Sequence, residues 1–178
     1  SGDGVSMQVS IGRGHELECV KRFERPNSLG IFYSLITQYC GFIKESDEYK
    51  LMGLSSYGNR KAHDFSFLID FKDGELLFNQ EYLVSIPPRT PSPHQDEMLF
   101  NEAFIEKMGR ERRLPGKEID PFYKDVAASA QQHLEKVMLK ITSHFIQQTG
   151  LSKLCLAGGV ALNCVQNQRL MESGFVEE

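Results

Sequence analysis

Alternating hydrophobic and polar positions predict two β-hairpins. The first begins with four apolar residues spaced two apart, Val5, Met7, Val9 and Ile11, which is the period of a half-buried strand. A glycine-containing turn at 12–14 leads to a second stretch at 17–23. The second hairpin is predicted where 65–71 and 75–78 flank Lys72-Asp73-Gly74, because Asp-Gly accepts the positive φ angles of a tight turn.

Helical spacing of apolar residues predicts two helices between the hairpins. Asn27 or Ser28 can cap the first helix, and Gly41 lies near its end. Its core-facing residues would be Leu29, Phe32, Tyr33, Ile36 and Cys40. The second helix is predicted to start at Ser46, with two acidic residues in its first turn, and to end at Gly58.

Two further helices are predicted after the second hairpin. Four of the seven prolines lie in 86–94, where they exclude a helix or an inner strand and indicate an ordered loop or lid. A helix is expected over 96–108. The longest helix is expected from Pro121 to about Gln148, with one apolar stripe facing the core and Gly150 as its stop.

The last predicted unit is a short strand at 153–157 that passes through Gly158-Gly159 into a helix at 160–173. Glycines let a ligand touch the backbone, and the amides at a helix start favour an anion. Asn163 and Asn167 would then share one helix face beyond the strand end. The pattern is typical of a phosphate or nucleotide contact, and it also fits glycines that merely allow close strand–helix packing.

Two charged residues are further candidates for ligand or metal contact. Lys50 could reach a substrate phosphate as a point charge, although the pattern alone favours an i, i+3 pair with Asp47. Asp3 lies between two glycines before a strand, which suits either a carboxylate near a metal or an ordinary turn.

Composition and charge exclude some classes of protein and of partner. The chain has 178 residues, 40% of them hydrophobic, and a formal net charge of −4, which fits one globular domain and disfavours nucleic acid as a partner. No apolar run approaches the roughly 20 residues of a membrane helix. The four cysteines form no CxxC pair and the five histidines do not cluster. We therefore predict a cytoplasmic protein with no metal site among these residues.

Four sequence blocks together resemble a known family. They are Ser-Leu-Gly-Ile-Phe-Tyr at 28–33, Asp-Glu-Tyr-Lys-Leu-Met-Gly-Leu-Ser-Ser-Tyr-Gly at 47–58, Asp-Val-Ala-Ala-Ser-Ala-Gln at 125–131 and Leu-Ala-Gly-Gly-Val-Ala-Leu-Asn at 156–163. In this order and spacing the blocks resemble the carbamoyltransferases of nodulation-factor and antibiotic biosynthesis. The similarity runs from Gly2 to about Leu170, and the stretch from 60 to 120 carries little of it.

The resemblance implies a fold and a reaction. The fold would be α/β, a partial actin-like ATPase domain of the ribonuclease-H-like type, with β-hairpins and a long core helix in a single domain over 1–178. Carbamoyl phosphate and ATP would give carbamoyl adenylate, and the carbamoyl group would pass to a hydroxyl of a sugar or antibiotic. By motif, Gly158, Gly159 and Asn163 would contact the nucleotide or the carbamoyl ligand, and Lys50 would lie in the motif that shapes the same pocket.

The chain also departs from the family pattern. The paired histidines and first aspartate that precede Ser1-Gly2-Asp3 in such proteins would lie upstream, so a divalent metal, iron or magnesium, would have its ligands outside this chain. We therefore expect a fragment that is inactive by itself. Two alternatives stay open: a non-catalytic nucleotide-binding module, and another actin-like superfamily member of the kinase or threonylcarbamoyl-transfer type. The sequence indicates neither the acceptor nor the oligomeric state.

Overall fold

The computed structural model describes residues 4–84 and 97–177. Strands β1 (Val5–Arg13) and β2 (Glu16–Glu24) form one two-stranded antiparallel sheet, and β3 (Ile69–Lys72) and β4 (Glu75–Phe78) form another. The α-helices of the described residues are α1 (Leu29–Tyr39), α2 (Glu48–Leu54), α3 (Glu102–Met108), α4 (Pro121–Thr149) and α5 (Cys164–Met171). Short 3-10 turns lie at Ser55–Tyr57, Gln80–Tyr82 and Gly159–Leu162.

The long helix α4 is the centre of the fold. Asp120 caps its first turn, Pro121 occupies the first helical position, and Gly150 ends it at a φ of 70°, as expected for these residue types. Helices α1, α2 and α5 and strand β3 all pack against it. Its buried apolar residues include Val126, Ala127, Ala130, Leu134, Val137 and Ile141. The predicted long core helix is therefore confirmed.

Both predicted hairpins are confirmed, and their bounds differ from the prediction. Asp73 and Gly74, with φ angles of 53° and 80°, form the two-residue turn between β3 and β4, which matches a type I′ hairpin. Strand β3 begins at Ile69, because the backbone at 66–68 forms a turn. Phe65 and Leu68 are nevertheless completely buried. The apolar residues at 65–68 therefore belong to the core without belonging to the strand.

Two predicted helix starts are wrong. Helix α2 begins after Asp47 and not after Ser46; the Asp47 carboxylate accepts a hydrogen bond from the Ile43 backbone N–H at 3.1 Å. Helix α3 begins only at Glu102, because Asn101 caps it and Phe100 bridges to Leu83. The predicted start at 96 and the proline-rich stretch at 86–94 lie outside the described residues.

The predicted strand at 153–157 is not formed. Lys153 makes one parallel bridge with Glu177, and no described strand lies beside the rest of the segment. Leu154 and Leu156 are exposed. The predicted helix at 160–173 is also divided, because Asn163 has an extended backbone between the 3-10 turn and α5. The described residues are thus α/β, with two small antiparallel sheets and a long helix, and the actin-like fold stays a prediction.

No helix among the described residues is both long enough and apolar enough to span a bilayer.

Candidate functional site

The four resemblance blocks, which are dispersed in the sequence, meet around the first half of α4. The second block reaches α4 at Gly58, where an added Cβ would lie only 2.0 Å from the Lys124 carbonyl oxygen. Next to it, the Asn59 backbone N–H donates to a carboxylate oxygen of Asp125 at 2.7 Å. The first and fourth blocks both reach α4 at Gln131. Residues distant in sequence therefore come together in one region of the fold.

A buried pair of amides joins the third block to the fourth. Gln131 Nε2 donates to Asn163 Oδ1 at 3.0 Å, and Asn163 Nδ2 donates back to Gln131 Oε1 at 2.9 Å. The two residues are only 1% and 7% exposed. Tyr33 of the first block donates its hydroxyl to the same Gln131 Oε1 at 2.8 Å. Burial raises the pKa of the Tyr33 phenol well above its usual value, so the phenol keeps its proton and remains a donor.

Glu135 extends this network by one helical turn. Its Oε1 accepts a hydrogen bond from Gln131 Nε2 at 3.2 Å. Its Oε2 contacts the guanidinium groups of Arg60 and Arg169. The Glu135 side chain is 4% exposed, whereas the side chains of Arg60 and Arg169 are 40% and 53% exposed. A buried carboxylate is therefore neutralised by two cations that keep contact with water.

The Gly158-Gly159 turn presents bare backbone to the surface. Gly158 has a φ of +99°, which strongly favours glycine. A Cβ added at either glycine would meet no atom of the described residues within 4 Å. The backbone N–H of Ala161 donates to the Gly158 carbonyl at 3.1 Å and closes the 3-10 turn. The outer face of this turn is open to a ligand.

Asn163 does not lie where the sequence analysis expected it. It is the N-cap of α5, and its Oδ1 accepts from the Gln166 backbone N–H at 3.0 Å. Its amide faces Gln131 on the buried side of the turn and does not point beyond a strand end. Asn167 also serves the fold, because its Nδ2 donates to the Ala161 carbonyl at 2.8 Å.

Lys50 lies on the exposed side of α2. Its ammonium forms an ion pair with Asp47 Oδ1 at 2.9 Å, which is the i, i+3 pair that the pattern alone favoured. The pair raises the pKa of Lys50 and lowers that of Asp47. Helix α2 borders the start of α5, since Met52 Sδ lies 3.9 Å from Cys164 Sγ. Lys50 therefore belongs to a helix that adjoins the fourth block.

The family model described as the carbamoyltransferase N-terminus matches residues 1–178. The chain belongs to this family.

Longer relatives support the assignment to the carbamoyltransferase N-terminus family. Nodulation protein NolO of Bradyrhizobium diazoefficiens is 33% identical over 179 residues, which are 99% of this chain and 29% of that protein. Nodulation protein NolNO of Sinorhizobium fredii is 32% identical over 180 residues, or 99% of this chain and 24% of that protein. An uncharacterized protein of Synechocystis is 38% identical over 176 residues, or 97% and 27%. The chain thus spans about a quarter of the length of these curated relatives.

Sequence reasoning missed the polar network of this carbamoyltransferase domain. Tyr33 was assigned to an apolar stripe, and Gln131 and Glu135 were given no role. One signal was present: Gln131 and Glu135 are four residues apart, which places them on one helix face. Their partner Asn163 comes from another part of the chain, and no local sequence pattern predicts this contact.

The described residues do not supply a metal site. They contain no group of three or more His, Cys, Asp or Glu side chains that could hold an ion, and Asp3 lies outside them. A shallow concavity of about 280 Å³ lies at the β3–β4 hairpin, lined by residues such as Phe67 and Asp70 and not by the candidate site. The candidate site is therefore an exposed turn backed by a buried network.

Proposed function

We propose that this chain is part of an O-carbamoyltransferase. The whole enzyme would use ATP and carbamoyl phosphate to form carbamoyl adenylate and would transfer the carbamoyl group to a hydroxyl of a sugar or antibiotic. The observation that carries this proposal is the convergence of the four family blocks around the first half of α4, with the open Gly158-Gly159 turn in the fourth block. The match to the family over the whole chain supports the same conclusion.

The turn has the properties that a nucleotide or carbamoyl ligand requires. Its glycines allow close approach to the backbone, and the N-terminus of α5 that follows favours negative charge. Lys50 on the neighbouring helix would add a mobile positive charge once a ligand phosphate competes with Asp47. Fixed dipoles and a cation of this kind stabilise the charge that develops during adenylation.

The atom balance of the proposed reaction determines its leaving groups. Carbamoyl adenylate retains one phosphate of ATP and no phosphate of carbamoyl phosphate. Water must therefore cleave carbamoyl phosphate to carbamate and inorganic phosphate. A carbamate oxygen then attacks the α-phosphorus of ATP and pyrophosphate leaves. In the transfer step the acceptor hydroxyl oxygen attacks the carbamoyl carbon, AMP leaves, and the hydroxyl proton is released.

The proposal also concerns the acceptor, the metal ion and the cell compartment. Two of the relatives are nodulation proteins, and the acceptor that we propose is a hydroxyl of a sugar or antibiotic. The described residues contain no group of three or more candidate metal ligands, so a divalent ion, iron or magnesium, would be held by residues outside this part of the chain. We place the protein in the cytoplasm, where ATP is available and the four free cysteines stay reduced.

The test uses the full-length protein encoded by the gene. It is incubated with ATP, carbamoyl phosphate, magnesium or ferrous iron and a sugar acceptor, and pyrophosphate release is followed. We expect release that depends on carbamoyl phosphate. Formation of ADP and a phosphorylated acceptor would instead identify a kinase, and nucleotide binding without turnover would identify a binding module.

Gly159→Val tests the place of the ligand. The backbone of Gly159 does not have a positive φ, and an added Cβ meets open space, so the variant should fold. We expect at least about a tenfold loss of ATP affinity, equivalent to roughly 1.4 kcal/mol. Gly12→Val is the matched control, since it adds a β-branched residue to strand β1, where the Cβ makes only an ordinary 3.6 Å contact with Leu17. Unchanged ATP affinity in a folded Gly159→Val protein would remove this assignment.

A further inference from the structure

We propose that Gln131 is a positioning residue that sets the conformation of the Gly158–Asn163 turn through its reciprocal amide pair with Asn163. This inference rests on the proposed function for the identity of the ligand, an adenine nucleotide. The geometric part, that Gln131 holds the turn, is independent of that identity. Gln131 is 1% exposed, so it acts through Asn163 and not by touching the ligand.

The hydrogen bonds around Gln131 fix the orientation of its amide. Nε2 donates to Glu135 and to Asn163, and Oε1 accepts from Tyr33 and from Asn163. A carboxylate such as Glu135 only accepts hydrogen bonds, so the nitrogen of Gln131 must face it. The oxygen of Gln131 then faces Asn163 Nδ2, and this determines the orientation of the Asn163 amide as well.

An ionised carboxylate cannot complete this pair. Each partner donates one hydrogen bond and accepts one, and an isosteric carboxylate lacks the donor. Asn163 Oδ1 also accepts from the Gln166 backbone N–H at 3.0 Å. The same oxygen therefore connects α4 to the first turn of α5, directly after the glycine turn.

The turn is also held by the bond from the Ala161 N–H to the Gly158 carbonyl at 3.1 Å and by the bond from Asn167 Nδ2 to the Ala161 carbonyl at 2.8 Å, but neither of these bonds joins it to α4. Gly158 and Gly159 have no side chains, and Leu162 is 81% exposed. On the inner side, Val160 packs against the core and borders the start of α1, where a Cβ at Gly30 would lie 3.9 Å from Val160 Cγ2. Loss of the amide pair should let the turn sample other conformations, and a ligand would then have to order it on binding.

The α4 end of the pair is rigid. Gln131 lies in the middle of a 29-residue helix, and its neighbours Ala130 and Leu134 are buried. Tyr33 comes from α1, which also packs on α4. A helix packed in the core therefore defines the position of an exposed turn. This is the arrangement expected where a binding surface must be held ready for its ligand.

The experiment compares Gln131→Glu with Gln147→Glu in the full-length protein. Both substitutions replace glutamine by glutamate on α4, and Gln147 is exposed. In Gln131→Glu the new carboxylate cannot donate to Asn163 and repels Glu135. Amide hydrogen exchange at 158–163 should become about tenfold faster, and the dissociation constant for ATP about tenfold larger, because a buried hydrogen bond is lost. Gln147→Glu should change neither quantity.

Tyr33→Phe keeps the test informative if Gln131→Glu does not fold. It removes one hydrogen bond to Gln131 Oε1 and adds no charge. We expect faster exchange at 158–163 and weaker ATP binding than in the unmodified protein, both by about threefold, because a single neutral hydrogen bond is removed while the amide pair stays.

Asn163→Asp adds a readout that a purely structural role would not give. The ionised carboxylate of Asp at this position can still accept the hydrogen bond from the Gln166 backbone N–H, but it cannot donate to Gln131. The protonated carboxyl group can donate to Gln131. Burial and the nearby Glu135 carboxylate should raise the pKa of this aspartate. The ATP affinity of Asn163→Asp relative to the unmodified protein should therefore recover as the pH is lowered from about 8 to about 6.

Two results would overturn the inference. One is a lower melting temperature in Gln131→Glu or Tyr33→Phe with unchanged exchange at 158–163. The other is an Asn163→Asp affinity defect that does not depend on pH. If the unmodified protein does not bind ATP, the proposed function fails, and the exchange measurement alone still decides whether Gln131 positions the turn.

Discussion

Gly58→Ala measures how closely the second family block is pressed against α4. The Gly58 backbone has a φ of −120° and a ψ of 172°, which is an extended conformation that alanine adopts without strain. The effect of the substitution is therefore steric. The new Cβ would lie 2.0 Å from the Lys124 carbonyl oxygen, 2.2 Å from its carbon and 2.6 Å from the Asp125 nitrogen.

The magnitude follows from these distances. Carbon–oxygen contacts in proteins are close at about 3.3 Å, so the 55–59 segment or α4 must move by more than an ångström. Overpacking typically costs about 1–3 kcal/mol, and because all three obstacles are backbone atoms we expect about 3 kcal/mol or more. In a protein of this size that corresponds to a melting temperature lower by about 6–12 °C.

Gly53→Ala is the matched control, because Gly53 belongs to the same block. It lies in α2, and a Cβ there would meet no described atom within 4 Å. Alanine is favoured over glycine in a helix by up to about 1 kcal/mol, so this variant should be slightly more stable. Both proteins are compared by chemical and thermal unfolding. A Gly58→Ala protein within about 0.5 kcal/mol of the unmodified one would contradict the placement of residues 55–59 against α4.

Three other outcomes are expected. His133 Nε2 lies 2.6 Å from the Ile69 carbonyl oxygen, and burial lowers the pKa of His133. As the pH falls through about 6.5, His133 is protonated in the unfolded chain before it is protonated in the folded chain, so the free energy of unfolding should decrease below that pH. His133→Gln should flatten this pH dependence in denaturant titrations at several pH values. Leu154→Lys combined with Leu156→Lys should leave the melting temperature of the 178-residue chain unchanged, because both side chains are exposed; a clear loss of stability would show that they are packed. Lys50→Met should raise the ATP or carbamoyl phosphate concentration needed for half-maximal activity of the full-length protein, and a change in melting temperature alone would leave Lys50 as a surface ion-pair partner.

Elements with local signals could be predicted from the sequence. Pro121 and Gly150 bound α4, Ser28 caps α1, and Asp73-Gly74 forms the second hairpin turn, as expected. Each of these signals acts through the backbone of a few neighbouring residues, so no tertiary information is needed to interpret it. The positions of Gly158 and Gly159 in an exposed turn followed from the same kind of signal.

The features that could not be predicted from the sequence depend on contacts with residues elsewhere in the chain. An apolar stretch such as 153–157 becomes a strand only where another strand accepts its hydrogen bonds, and the described residues offer one parallel bridge at Lys153. Asn163 looked like a helix residue with an exposed amide. The structure makes it a buried cap, because Gln131 supplies the matching donor and acceptor. The periodicity of apolar residues does not predict such side-chain pairs between distant parts of the chain.

If Gly158 and Gly159 contact the ligand through bare backbone, as proposed, that contact would depend on buried side chains. Gly158 and Gly159 have no side-chain atoms with which to choose a ligand, so affinity depends on how well the turn keeps its shape. That shape is set by Asn163 and Gln131, and their amides in turn depend on Tyr33 and on the charge of Glu135. Substitutions in this buried network should therefore change ligand affinity although none of its members faces the open side of the turn. Screening only exposed residues would miss the residues that control binding.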